Sequence, residues 1–318
     1  MINNRREFLF IYDVSFANPN GDPANENRPR IDEETGINYV TPDRLKRVIR
    51  DQLVDFGENI FVKKEVKDGK VLTRKDIFDS YGKNIEEILK ECIDIRLFGI
   101  TLAVGNKDDE DSSGSEKGKS KVSSEGDFRS LTGPVQFKFG KSLHRVSLEY
   151  VKGTTVLASK KGRVQGTMTE KWILPYSLIV FYGIANEKAS QSTGLKDGDI
   201  DKMLRAMWIG FKANTDIIST SKMGHNPRLL LEIVYKENTL THIGDLDNLV
   251  SLKTNKRDEE VRSIEEVEID MSKLADKVKE YKDKIQKVRY AIDSSVKLSS
   301  RIEDVFSGVS VERINFDK

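Results

Sequence analysis

Phe8, Phe10, Tyr12 and Val14 alternate with Leu9, Ile11 and Asp13 until the run stops at Asn18-Pro19-Asn20-Gly21. Both sides of this segment are largely apolar, which predicts a strand covered on both faces. A polar loop rich in Asn, Pro and Gly follows from Asn18 to about Tyr39. Thr41-Pro42-Asp43 then supplies an N-cap, a proline at the first helical position and an acid in the first turn, so a helix opens there. Leu45, Val48, Ile49, Leu53 and Phe56 form its apolar stripe. Lys46, Arg47 and Arg50 fall on the other side, at roughly 100° of turn per residue.

The pattern weakens over 57–133. Ile85, Ile88 and Leu89 predict a short helix, and Cys92 to Phe98 reads as a strand or a helix end. Gly105 to Asp127 holds one apolar residue, Val122, and is expected to be disordered, because it has too little to bury to offset the entropy of ordering. Val135 to Leu148 alternates again, and Tyr150 to Lys171 reads as an exposed hairpin turning near Lys160-Lys161-Gly162. Trp172 to Ile184 predicts a long strand and Arg228 to Tyr235 another. Between them Ile200, Met203, Leu204, Met207, Trp208 and Phe211 give a helical stripe over Asp199 to Lys212. Leu274, Val278, Tyr281, Ile285, Val288 and Ile292 alternate four and three apart and predict one further helix packed on its own domain.

Without the insertions the order is strand, helix, strand, strand, helix, strand. That is the α+β, ferredoxin-like order of RNA-recognition modules. It divides the chain into a first strand, loop and basic helix (1–56), an insertion (57–133), the remaining strands with a hairpin (134–238) and a C-terminal extension (239–318).

Charge sharpens this picture only locally. Lys and Arg together number 53 against 52 Asp and Glu, so the total says nothing about partners. Between Pro134 and Lys171, however, eight basic residues face only Glu149 and Glu170, whereas acids gather between Asp258 and Asp270. Such segregation builds a local positive field on a nearly neutral molecule. The single cysteine, Cys92, fits a reducing compartment. The N-terminus lacks a long apolar signal region, and no apolar stretch is long enough to span a bilayer, which points to a cytoplasmic protein with no membrane partner.

Candidate chemistry is mostly absent. No G-x-G-x-x-G exists, and Gly118-Lys119-Ser120 and Gly140-Lys141-Ser142 lack the upstream glycine of a phosphate-binding loop. His144, His225 and His242 are scattered and predict no metal site, and no cofactor is expected. Asp13, Asp22 and Asp32 surround the first loop; a metal-dependent ribonuclease using Asp22 or Asp32 is the enzymatic alternative, and turn formation the plainer reading. What remains is phosphate chemistry. Lys46, Arg47 and Arg50 on one helix, with Arg28 and Arg30 nearby, are suited to phosphate contacts, which supply affinity without reading bases. His144, Tyr150 and Met168 are candidates for stacking on or wedging between bases, with simple packing as the competing reading.

The run NPNGDPANENRPRIDEETGINYVTPDRLKRVIRDQL, Asn18 to Leu53, resembles the backbone subunit of type I CRISPR effector complexes (Cascade), most of all the I-B type. CIDIRLFG (92–99), LTGPVQFKFGKSLHRV (131–146) and SKMGHNPRLLLEIVY (221–235) are similar to later blocks of that family in the same order. The resemblance implies a non-catalytic scaffold. Its fold would be a modified RNA-recognition palm, with insertions forming fingers and a thumb hairpin at about 144–171. Copies would stack along one CRISPR RNA beside other effector subunits, and target DNA would be met only through the guide. Among site residues it implies Lys46, Arg47 and Arg50 against the RNA backbone, then Arg30 and Asn20 in the adjoining loop, then Lys141, His144 and Lys222. Lys160, Lys161 and Arg163 would lie on the thumb.

Overall fold

The computed structural model describes residues 1–103, 128–154, 168–213 and 222–316. Its frame is one large sheet built around β1 (Arg6–Ala17), whose two neighbours come from far along the chain. β8 (Met168–Ala185) and β9 (His225–Tyr235) pair with it, both antiparallel. Beyond β8 lie β6 (Gly140–Arg145) and β2 (Ile37–Val40), and β5 (Val135–Phe137) also pairs with β8. Beyond β9 lie β12 (Ile285–Ile292), antiparallel, and β13 (Ser310–Arg313), parallel to it.

The alternation in β1 places two sets of side chains on opposite faces. Phe8, Phe10 and Tyr12 meet the apolar stripes of α1 (Pro42–Asp55) and α6 (Asp197–Ala213), which follows the short α5 (Glu187–Thr193), in one core. Gly210 lets these helices approach, since a Cβ there would lie 2.9 Å from Val48. Leu9 and Ile11 face a second core completed by the C-terminal extension, which carries the paired β10 (Ser251–Lys253) and β11 (Glu268–Asp270) and contributes Leu246, Ile269, Leu274 and Phe306. α1 begins as its sequence dictates: Thr41 caps the Arg44 amide and Pro42 occupies the first turn.

The insertion folds around Cys92, which is buried with Phe61, Phe78, Ile88 and Ile95. It contains α2 (Arg74–Ser80), α3 (Ile85–Glu91) and α4 (Ile93–Phe98), then the paired β3 (Gly99–Ala103) and β4 (Phe128–Thr132). The expected disordered loop at 105–127 lies outside the described residues. β7 (Glu149–Thr154) pairs with the first residues of β8, so the hairpin expected to start near 144 leaves the sheet at Glu149. Its turn, with Lys160, Lys161 and Arg163, lies outside the described residues.

One element differs from expectation. The helix expected over 274–292 ends as α7 (Ser272–Tyr281), and 285–292 is β12. Tyr235 pairs with Ile285 and Val234 with Lys287, so Gln286 is an extra, bulged residue. The bulge brings Ile285 and Val288 to one face, and their spacing of three imitates a helix.

Candidate nucleic-acid interface

β1 ends in a strained turn. Opposite Phe16 on β8 stands Pro175, which has no N–H to donate, and Phe16 adopts a left-handed φ of 48°. The Ser15 amide instead donates to the Gly224 carbonyl at 3.0 Å. Gly224 is required there: its φ is +90°, and a Cβ would sit 2.3 Å from the Ser15 oxygen. This contact brings the segment before β9 against the loop after β1. Phe16 and Met223, beside the contact, are each about 60% exposed.

The Asn18 loop is tied down on three sides. Asn18 Nδ2 donates to the Asn27 carbonyl at 2.7 Å and to the Trp172 carbonyl at 3.3 Å. Asn20 Oδ1 accepts from the Thr41 amide at 2.9 Å, which joins the loop to the start of α1. The Asn38 side chain donates to the Arg30 carbonyl at 2.8 Å. Arg28 lies over the Trp172 ring at 4.2 Å, and Trp172 packs on Tyr150 at 4.6 Å, so the loop rests on the root of the hairpin.

Three cationisable groups gather where these pieces meet. Arg44, from the first turn of α1, is largely buried, and burial pulls its pKa down. The Lys222 ammonium donates to the Asn18 carbonyl; burial, then the nearby Arg44 charge, bring its pKa to about 7. His225 is buried, and burial, with Arg44 and Lys222 beside it, pushes its pKa well below the usual value. Beneath them Tyr12, Phe211 and His225 form an aromatic floor, with Tyr12 and Phe211 stacked at 4.4 Å. Of the nine buried side-chain nitrogen and oxygen atoms without a partner among the described residues, two are in this cluster, His225 Nε2 and Arg44 Nε, and three are in the adjoining loop, Asn18 Oδ1 and the Nε atoms of Arg28 and Arg30. Buried polar groups are ordinarily satisfied. The arrangement is suited to an anion with several acceptor oxygens.

The residues expected from sequence divide. Lys222 lies in the cluster, Asn20 joins the adjoining loop to the start of α1, and Arg30 pairs within that loop with Asp22 at 3.3 Å. Lys46 donates to Gln136 at 3.3 Å and lies 5.2 Å from the Phe98 ring. Arg47 is half exposed and paired with Asp51 at 2.6 Å. Arg50 pairs at 3.0 Å with the buried Asp94. Lys141 bridges to Asp247 at 3.2 Å and to Asn248. His144 is buried; its Nε2 accepts from the Leu178 amide at 3.2 Å and its ring stacks on Tyr176, so here packing describes it better than base stacking. Sequence reasoning passed over Arg44 and His225. The Met-Gly-His-Asn-Pro turn was the available signal, since a glycine followed by a proline marks a constrained crossing of backbones.

The aspartates of the enzymatic alternative do not converge. Asp22 accepts from the Ala24 amide, and Asp32 accepts from Thr35 Oγ1 at 2.6 Å and from the Glu34 amide. Asp13 is held by Arg228 at 2.8 Å and by Tyr176. Among the described residues no group of three or more His, Cys, Asp or Glu side chains could hold a metal ion, and no helix is long and apolar enough to cross a membrane.

The family model described as CRISPR-associated protein Cas7 matches residues 4–272. A Haloferax volcanii protein described in the same words is 34% identical over 313 residues, which cover 93% of this chain and 88% of that one. A solved chain from a CRISPR RNA-guided surveillance complex in a pre-nicking state superimposes with a TM-score of 0.55 at 13% identity, covering 98% of this chain and 97% of that one. A second, from a CRISPR RNA-guided surveillance complex, gives 0.51 at 14% identity, covering 98% and 94%. At these identities the two structures establish likeness of fold.

Proposed function

The chain belongs to the Cas7 family of CRISPR-associated proteins, and from that premise we propose that it is a non-catalytic scaffold subunit that binds CRISPR RNA. Copies repeat along the guide in a type I complex, of the I-B kind, together with other effector subunits, and present it for pairing with target DNA. One observation carries the reading: Arg44, Lys222 and His225 converge at one end of the sheet beside the Asn18 loop, which carries Arg30, and the Nε atoms of Arg30 and Arg44 and Nε2 of His225 are buried and unpaired. Contacts of this kind hold phosphates and ignore base identity, so sequence specificity passes to base pairing. Weak grips repeated on one strand then add through effective concentration.

The palm we infer is ferredoxin-like. Its strands run β9, β1, β8, β6, all antiparallel, with α1 and α6 on one face. An RNA-recognition module offers RNA its open sheet face. Here the C-terminal extension occupies that face. RNA therefore meets the strand ends and the root of the hairpin, where Phe16, Met223 and Tyr150 offer exposed apolar surface for bases.

The test is RNA binding by the purified chain, titrated with salt, on several unrelated single-stranded sequences. Arg30→Gln with Arg44→Gln is expected to weaken binding about equally on all of them and to make the salt dependence shallower by about one to two phosphate contacts. Wild-type affinity and an unchanged salt slope in the double variant would remove RNA from this site.

A further inference from the structure

We propose that Arg44, Lys222 and His225 form one buried phosphate subsite, and that a phosphodiester group of the guide RNA seats there together with a proton taken from solvent. The inference rests on the RNA-binding reading above and concerns how this one subsite is charged.

The reason is the surroundings of Lys222. An ammonium has three N–H donors. Among the described residues its one hydrogen-bond acceptor is the Asn18 carbonyl. β1 contributes Tyr12, whose pKa is raised, chiefly by burial, so that it stays an uncharged phenol. α1 contributes Arg44, a like charge, with Arg47 and Asp51 behind it, and Asp51 is engaged by Arg47 at 2.6 Å. α6 contributes the Phe211 ring, and β9 contributes His225, neutral and with Nε2 unpartnered. Asp13, further back on β1, is spent on Arg228, Asn226 and Tyr176. No carboxylate among the described residues neutralises the amine, and burial with the Arg44 charge brings its pKa to about 7.

A phosphate reverses that balance. A negative charge within hydrogen-bond reach favours the ammonium, so the amine that is half protonated near neutral pH in the free chain becomes fully protonated in the complex. The complex then holds up to one more proton than its parts, and the buffer supplies it. The sign follows: affinity is full below the free amine's midpoint and falls as pH rises through it, by up to tenfold per unit. Between pH 6.5 and 8.5 the loss is about twentyfold. Phosphate contacts made by ordinary surface lysines, which titrate above pH 10, do not change over that range.

Calorimetry of a single-stranded RNA oligonucleotide binding to the purified chain, repeated at pH 7.5 in buffers of different ionisation enthalpy, reads the proton directly. Uptake of more than half a proton, abolished by Lys222→Arg, is the expected result. Binding without uptake, or uptake that persists in Lys222→Arg, would overturn the subsite and leave the RNA reading standing. An absence of RNA binding at any pH would instead sink the RNA reading. Should the arginine variant fail to fold, side-chain NMR of the wild type decides. A Lys222 amine titrating near neutral in the free chain and moved well above pH 9 by RNA supports the subsite, and one titrating near pH 10 in the free chain overturns it.

Discussion

Arg50 looks like a cation available for RNA, yet its guanidinium is engaged within the protein. Asp94 is fully buried at the start of α4, where it accepts from the Phe61 amide at 2.8 Å, the Val62 amide at 3.1 Å and Arg50 Nε at 3.0 Å. Removing the guanidinium strands that carboxylate, so Arg50→Ala is expected to cost about 3–5 kcal/mol. Arg47→Ala opens only an exposed pair with Asp51 and should cost less than about 0.5 kcal/mol. Thermal denaturation of the two variants makes the comparison, and similar melting points would contradict the role given to Asp94. RNA affinities of Arg50 variants therefore need measuring on folded protein. The cationic side of α1 was legible in the sequence from helical spacing. The partner of Arg50 was not, since Asp94 lies 44 residues away and sequence periodicity does not report a charge pairing across elements.

At the level of elements, β1, α1, α6 and β9 were legible because each has an unbroken period and clear end signals. β12 was misread because one bulged residue shifted its period from two to three. The C-terminal extension could not be placed from sequence, because its entry is fixed by a polar contact to a residue 236 positions away. Glu7, fully buried in β1, accepts from the Tyr182 hydroxyl at 2.6 Å, the Tyr235 hydroxyl, the Ile243 amide at 3.1 Å and the Gly244 amide at 2.7 Å. This one carboxylate therefore pins the entry of the extension to the central strand. Glu7→Ala leaves two phenols and the Gly244 amide without their acceptor, the Ile243 amide keeping only the Tyr235 hydroxyl at 3.0 Å, and should destabilise the chain by about 2–4 kcal/mol. Hydrogen exchange at Ile243 and Gly244 should rise first. Unchanged protection there would show that the extension is held by apolar contact alone.

For the molecule as a whole, the extension is half of the second core. Ending the chain after Asn238 would uncover Leu229, Leu231, Ile233 and Tyr235 together with Leu9 and Ile11. Such a contiguous apolar face favours association. The truncated chain is expected to bind a hydrophobic dye and to sediment as aggregates, and a soluble monomer would show the face to be self-sufficient. The position of β1 also has a consequence during synthesis. Arg6 pairs with Ala185 on one side and Val234 on the other. At about 5–20 residues per second, the first strand leaves the ribosome roughly ten to forty seconds before its second partner is made. Through that interval an apolar strand has open edges, so the chain's yield in a cell depends on what shields those twelve residues until β9 arrives.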